Sequence, residues 1–226
     1  METELSTRVL FAEGGSIAYS WLCGFEYPWE AIPQLSNYIL TLGAQLSSDD
    51  YCRIGGDIWI AKSAKIAPTA EIKGPCVICD RAEVRQGAFL RGAALVGCGA
   101  VVGNSTELKN CILFDGVQVP HYNYVGDSIL GYRAHMGAGA ITSNVKGDRS
   151  PVTVRLGVRR IETRLLKLGA LLGDHVEIGC NSVLNPGTVI GRHSNVYPLS
   201  SVRGYVPRNS IYKGNGIVVE KDTDKG

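Results

Sequence analysis

Every sixth residue from Ile54 onward is aliphatic: Ile54, Ile60, Ile66, Ile72, Ile78, Val84, Leu90, Val96, Val102 and Leu108. Four places after most of them stands a small residue: Ala64, Ala70, Cys76, Ala82, Ala88, Ala94, Ala100 and Thr106. An α-helix repeats at 3.6 residues and a strand at two, so neither produces a period of six. The period is the hexapeptide signature of a parallel β-helix. The aliphatic residue points into a prism, and the small one fits where the backbone turns a corner. Three hexapeptides close one triangular coil, which buries its apolar face only by stacking on the next.

The pattern divides the chain into an all-β body, residues 51–206, and two appendages. Coils run from near Tyr51 to Leu108. The register slips over 109–129 and resumes at Leu130, Met136 and Thr142. It is interrupted again over about 143–170, then returns at Leu172, Ile178, Leu184, Ile190, Val196 and Val202, with Ser182, Thr188, Ser194 and Ser200 at the small positions. The second interruption is the most basic part of the chain, with Arg149, Arg155, Arg159, Arg160 and Arg164. An insertion of that length in a solenoid reads as a loop thrown out from one corner. Two readings of its charge stand side by side: a solvated arm, or an arm that reaches a neighbouring subunit or an anionic ligand.

Residues 1–50 do not follow the period. VLFAEG and SIAYSWL read as short strands or irregular structure. PWEAIPQLSNYILTLGAQL reads as a helix, with Pro28 near its start, Ile32, Leu35, Ile39 and Leu42 on one face, and Gly43 as a stop. This helix is expected to cap the open end of the first coil. Residues 207–226 leave the coil as a tail, with IVVE as one strand and the last residues frayed.

Composition narrows the classes. The 226 residues include 28 Gly and 19% charged residues, which suits a solenoid with many corners. A net charge of +2 argues against nucleic-acid or membrane-surface partners. The N-terminus has no apolar signal core, no apolar run spans a membrane, and the seven cysteines are odd in number and scattered. A reducing, cytoplasmic setting is the expectation. Cys76 and Cys79 form a CxxC, but both occupy small-residue corner positions and no second pair follows at zinc spacing, so no metal site is expected.

Departures from a repeat are where chemistry is sought. Of four histidines, His175 and His193 fall at exposed corners of regular hexapeptides and read as surface. His121 lies off the period in PHYNYVGD, beside Tyr122, Asn123 and Tyr124. A neutral imidazole there can take a proton from an attacking amine or hydroxyl, and a carboxylate such as Glu107, fourteen residues back, would fix its tautomer. Neither a nucleophile elbow nor an HExxH occurs, which points to direct transfer by a base.

The segment KNCILFDGVQVPHYNYVGDSILGYRAHMGAGAITSNVKGD resembles the acetyltransferase domain of bifunctional N-acetylglucosamine-1-phosphate uridyltransferases and of archaeal-type sugar-phosphate acetyltransferases, over roughly residues 52–205. Their nucleotidyltransferase half has no counterpart here, and PWEAIPQLSNYIL looks like their linker helix. The resemblance implies a left-handed β-helix, a homotrimer, acetyl-CoA as acyl donor with no tightly bound cofactor, and an amino-sugar phosphate as acceptor. It implies His121 as base with Glu107 beside it and Asn144 near the thioester. Arg85, Lys109 and Lys167 would hold the sugar phosphate, and Tyr124 and His135 would line the sugar site. Ala138, Cys180 and Pro198 would follow the pantetheine arm. The chain departs from that pattern at His135 (Asn in the family), Val145 (Tyr), Gln86 (Pro) and Cys180 (Ser). These changes leave open a β-helix that binds a sugar nucleotide without turnover. A zinc hydratase on the same scaffold would need a third histidine beside His175 and His193.

Overall fold

The structure is a computed structural model that describes residues 4–12 and 14–222. Its body is a parallel β-helix whose inward side chains form three columns, one per flank of the prism. On flank one Ile60 stacks on Ile78, then Val96, Leu113, Leu130, Leu172, Ile190 and Val206. On flank two the column begins Ile66, Val84, Val102, Val119 and continues through Met136, Ile178, Val196 and Tyr212. On flank three it begins Ile72, Leu90, Leu108, Val125 and continues through Thr142, Leu184 and Val202. From Ile60 to Val202 these are the sequence's hexad positions, joined by Leu113, Val119, Val125, Val206 and Tyr212, which the period did not mark, and most are fully buried.

Two ends of the pattern differ from the sequence reading. Tyr51–Ile54 pairs antiparallel with Ile58–Ala61, so it is an edge strand, and Ile54 is 51% exposed. At the other end the coil runs past 206, because Ser210–Gly214 pairs parallel with Asn195–Val196 and turns Tyr212 inward. Ile217–Glu220 then pairs antiparallel with it. An antiparallel strand on each outer edge occupies backbone groups that would otherwise template another chain. The expected fraying falls on 223–226, outside the described residues.

Residues flanking each inward position point outward, and the three flanks differ there. On flank one they are Trp59, Val77, Leu95, Ile112, Ile129, Leu171 and Val189, all buried. On flank two they include Lys65, Glu83, Gln118, His135 and Glu177. Flank one therefore needs a cover. The helix Leu35–Gln45 lies against strands Cys76–Ile78, Ala94–Val96 and Glu107–Leu113, and the preceding 3-10 turn Pro28–Gln34 against Tyr124–Leu130. The helix thus lies along a flank and does not cap the open end. Gly43 sits inside it, where a Cβ would fall on the Trp59 ring, so this glycine permits docking and is not a stop. Glu30 accepts the backbone N–H groups of Glu26 and Tyr27 at 3.1 and 3.2 Å and fixes the chain entering the turn. Among the described residues of VLFAEG and SIAYSWL no strand forms: Val9 and Leu10 belong to a helical turn, Thr7–Leu10, and the second stretch ends in another, Tyr19–Leu22.

The arm departs from expectation in the same way. Thr153–Leu156 and Arg159–Glu162 form an antiparallel hairpin that folds back beside Thr188–Ile190 and Tyr205–Val206. Val152 and Val154 are fully buried, and Leu156 and Ile161 pack on the core. The arm covers the C-terminal half of flank one as the helix covers the N-terminal half. Among the described residues no helix is long and apolar enough to cross a membrane.

Candidate active site

The slip over 109–129 has a simple structural cause. Leu113 follows Leu108, and Leu130 follows Val125, by five residues in place of six, so two coils advance by seventeen. At these places the chain runs through the corner between flanks three and one as seven-residue strands, Glu107–Leu113 and Tyr124–Leu130. The shortened corners place Asn110 and Asp127 in left-handed backbone, φ 49° and 48°, which Asn and Asp tolerate better than most residues.

Asp127 is 4% exposed. Its carboxylate accepts from Lys109 Nζ at 3.2 Å, from Asn110 Nδ2 at 2.8 Å and from Asn144 Nδ2. A buried carboxylate is tolerable only with such charge-assisted donors. Asn144 Nδ2 also reaches Tyr124 Oη at 3.3 Å. Burial, and then the Asp127 charge, push the Tyr124 hydroxyl above its usual pKa. The arm leaves the body beside Asn144 and returns beside it, because Leu168 N–H donates to Asn144 O at 3.0 Å. That bond places exposed Lys167 next to the cluster.

Tyr124 begins flank three, and across that flank lies the next corner. There His121 is exposed, and its ring makes no hydrogen bond among the described residues. Its backbone is fixed: His121 N–H donates to Asn123 Oδ1 at 3.1 Å, and Gly139 N–H donates to His121 O at 3.0 Å. A Cβ on Gly103 would fall on the Pro120 carbonyl, so glycine at 103 lets the neighbouring coil sit directly on the one that carries His121. Below His121 the same corner repeats. Asn181 N–H donates to Ala138 O at 2.8 Å and Leu199 N–H to Cys180 O at 2.9 Å. His121, Ala138, Cys180 and Pro198 therefore form one vertical line, with Tyr122, Tyr197 and Leu199 exposed along it.

Other expected residues lie elsewhere. Arg85 is two coils above His121, with its Nε 2.9 Å from Glu83 Oε1, and does not approach Lys109. Arg91 takes that place, one coil above Lys109, with Nη1 2.8 Å from Glu107 Oε1. Glu107 is thus held by an arginine and is not hydrogen-bonded to His121. His135 stands on flank two, its Nδ1 2.7 Å from Glu177 Oε2. His175 and His193 stack at 4.8 Å on the corner between flanks one and two, with Tyr132 edge-on to His175. The four histidines therefore do not converge, and no group of three His, Cys, Asp or Glu suited to a metal occurs among the described residues.

Sequence reasoning missed Asp127, Asn110 and Arg91. A signal for each existed. Asp127 ends the quoted HYNYVGD stretch, Asn110 and Asp127 are one short coil apart, and Arg91 is one full coil before Lys109.

A hexapeptide-repeat β-helix with a polar cluster where its coils shorten defines the structural class. The family described as GMPPB C-terminal domain matches residues 72–199, more than half of the chain, and the protein belongs to that family. It is also similar to the Bifunctional protein GlmU of Methanococcus maripaludis (strain C5 / ATCC BAA-1333), 30% identical over 198 residues, covering 86% of this chain and 48% of the relative. The Bifunctional sugar-1-phosphate nucleotidylyltransferase/acetyltransferase of Sulfurisphaera tokodaii is 32% identical over 165 residues, covering 73% of this chain and 41% of the relative. The chain spans about half the length of the curated relatives it matches or less.

Proposed function

We propose that the protein transfers an acetyl group from acetyl-CoA to the amine of an amino-sugar phosphate or its nucleotide form. The observation that carries this reading is the layout of flank three: an exposed imidazole at one corner, and Lys109, Arg91 and Lys167 around Asp127 and Asn144 at the other. A phosphorylated amino sugar lying across the flank would meet cations at its phosphate end and His121 at its amine end. The names of the two relatives, one of which includes acetyltransferase, support the same chemistry.

In this mechanism neutral His121 removes a proton from the amine nitrogen as that nitrogen attacks the thioester carbonyl. The new C–N bond forms, the tetrahedral oxyanion takes backbone N–H donors near Ala138, and collapse breaks the C–S bond to release CoA thiol. The line of Ala138, Cys180 and Pro198, with Tyr122, Tyr197 and Leu199 exposed beside it, suits the pantetheine arm. Exposed aromatic and aliphatic groups in a row also suit a subunit contact, and we extend the proposal to a homotrimer with the acyl donor between subunits. A monomer that sediments alone and turns over would remove that part.

The test is thiol release from acetyl-CoA with a panel of amino-sugar 1-phosphates and their nucleotide forms. Release with one member, and a ~10²–10⁴-fold lower rate in His121→Ala, is the expected result. Ligand binding without thiol release would instead make the chain a binding module. A second reading rests on the hydrogen-bonded pair His135–Glu177, a base already oriented by a carboxylate. Undiminished turnover in His121→Ala together with loss in His135→Ala would transfer the role to it.

A further inference from the structure

The arm hairpin closes over a second basic site that the chemistry above does not use. A cavity of about 130 Å³ lies between the hairpin and the last coils, lined by Lys146, Thr153, Arg155, Arg160, Glu162, Pro186, Arg203 and Gly204. Four of these residues are cationic and one is acidic. Arg155 and Arg160 stand directly opposite each other on the hairpin. Like charges at that spacing repel, so the pairing is destabilising unless an anion sits between them. No carboxylate supplies it. Glu162 accepts from Thr153 Oγ1 at 3.2 Å, Lys146 lies 3.7 Å from Asp148, and Arg203 donates to Asn185 Oδ1 at 3.2 Å. Neither Arg155 nor Arg160 has an ion pair among the described residues.

The alternation of the hairpin explains how this arises. Val154, Leu156 and Ile161 face flank one and dock the hairpin, which leaves Thr153, Arg155, Arg160 and Glu162 on the other side of the same two strands. Gly204, in the left-handed region at φ 85°, brings the body's backbone beside this face, where a Cβ would be in ordinary contact with the Arg155 Cβ at 3.4 Å. Burial of one hairpin face thus leaves Arg155 and Arg160 exposed on the other face, where they line one cavity with Arg203 of the body.

We propose that this cavity binds the phosphoryl group of a phosphorylated ligand. Guanidinium forks match phosphate oxygens in pairs, and three arginines with a lysine, offset in part by Glu162 and Asp148, leave an excess of positive charge suited to a dianion. The cavity admits a phosphoryl group, and an adjoining cavity of about 450 Å³, which shares Lys146, Pro186 and Arg203 with it and is also lined by Asn185, forms a mouth with room for an attached nucleoside. The site is on the corner between flanks three and one, with Pro186 one coil and Gly204 two coils below Asn144, and so lies on a different corner from the His121 line.

Calorimetric titration with inorganic pyrophosphate and, in a parallel arm, with UDP tests the proposal on the full chain at low salt. Saturable binding is expected, weakened ~10-fold or more in Arg155→Gln/Arg160→Gln and reduced by high salt. Equal affinity for the two probes would identify free phosphate chemistry as the whole ligand, and tighter UDP binding would place a nucleoside at the mouth. Arg203→Gln, which changes the body and leaves the hairpin's own sequence intact, should weaken binding similarly and keeps the test valid if the double variant disturbs the arm. Arg159→Gln, outside the cavity, should bind as the parent does. No saturable binding by the parent, or binding unchanged in both cavity variants, overturns the proposal. The readout is independent of acetyl transfer, so either idea can fail alone.

Discussion

Flanks one and three of the prism each carry an inward column of mostly aliphatic residues and differ in what points outward. Flank one turns Val77, Leu95, Ile112 and Ile129 out, and these are as buried as the inward residues, because the helix Leu35–Gln45 and the turn Pro28–Gln34 lie on them, while the arm hairpin lies on the later strands of the same flank. Flank three turns out Phe89, Glu107 and Tyr124, and nothing in the chain covers them fully. One scaffold therefore supports two uses. The apolar flank anchors the segments that break the repeat. The polar flank is left open, with its charged groups facing a space that a ligand can enter. The division teaches that outward positions, and not the hexad aliphatics, distinguish structural from chemical surface in a solenoid.

The largest expected effect lies on flank one. Leu95→Ala deletes a fully buried side chain between the body and the helix and should destabilise the fold by about 2–5 kcal/mol, measured by denaturant unfolding. A loss under about 0.5 kcal/mol would mean that the helix is not docked there. Next comes the junction of the two flanks. Asp127→Ala leaves Lys109, Asn110 and Asn144 without their shared acceptor and should cost about 1–3 kcal/mol. Under the proposed function it should also lower turnover, since the cations would no longer be held; unchanged stability and turnover would show that the cluster is incidental. The smallest effect belongs to flank three itself. Glu107→Gln breaks a partly exposed pair with Arg91 and should change stability by no more than about 1 kcal/mol. A larger loss would mean that this flank is load-carrying too, and the comparison would lose its force.

The arm sharpens the contrast further. It carries an apolar face that closes flank one and a basic face that lines the cavity with Arg203. In the chain these appear as one run of arginines. Only the two-residue alternation of a hairpin separates Arg155 and Arg160 from Arg159, and that alternation has no meaning until the partner strand and the docking surface are known.

The period of six by itself determined the regular coils, most of the inward positions and the places where the pattern fails, because a triangular coil has one inward site per side and favours aliphatic residues there. It also singled out His121, since any residue at a break is released from that constraint. Tertiary structure alone decided that the N-terminal helix lies along a flank, that the arm returns to its own chain, and that Arg91, not Arg85, stands beside Lys109. The reason is geometric: neighbours in one column are separated by sixteen, seventeen, eighteen or forty-two positions in sequence. Two five-residue steps and one long insertion therefore shift which side chains meet, although no single residue in the chain announces it.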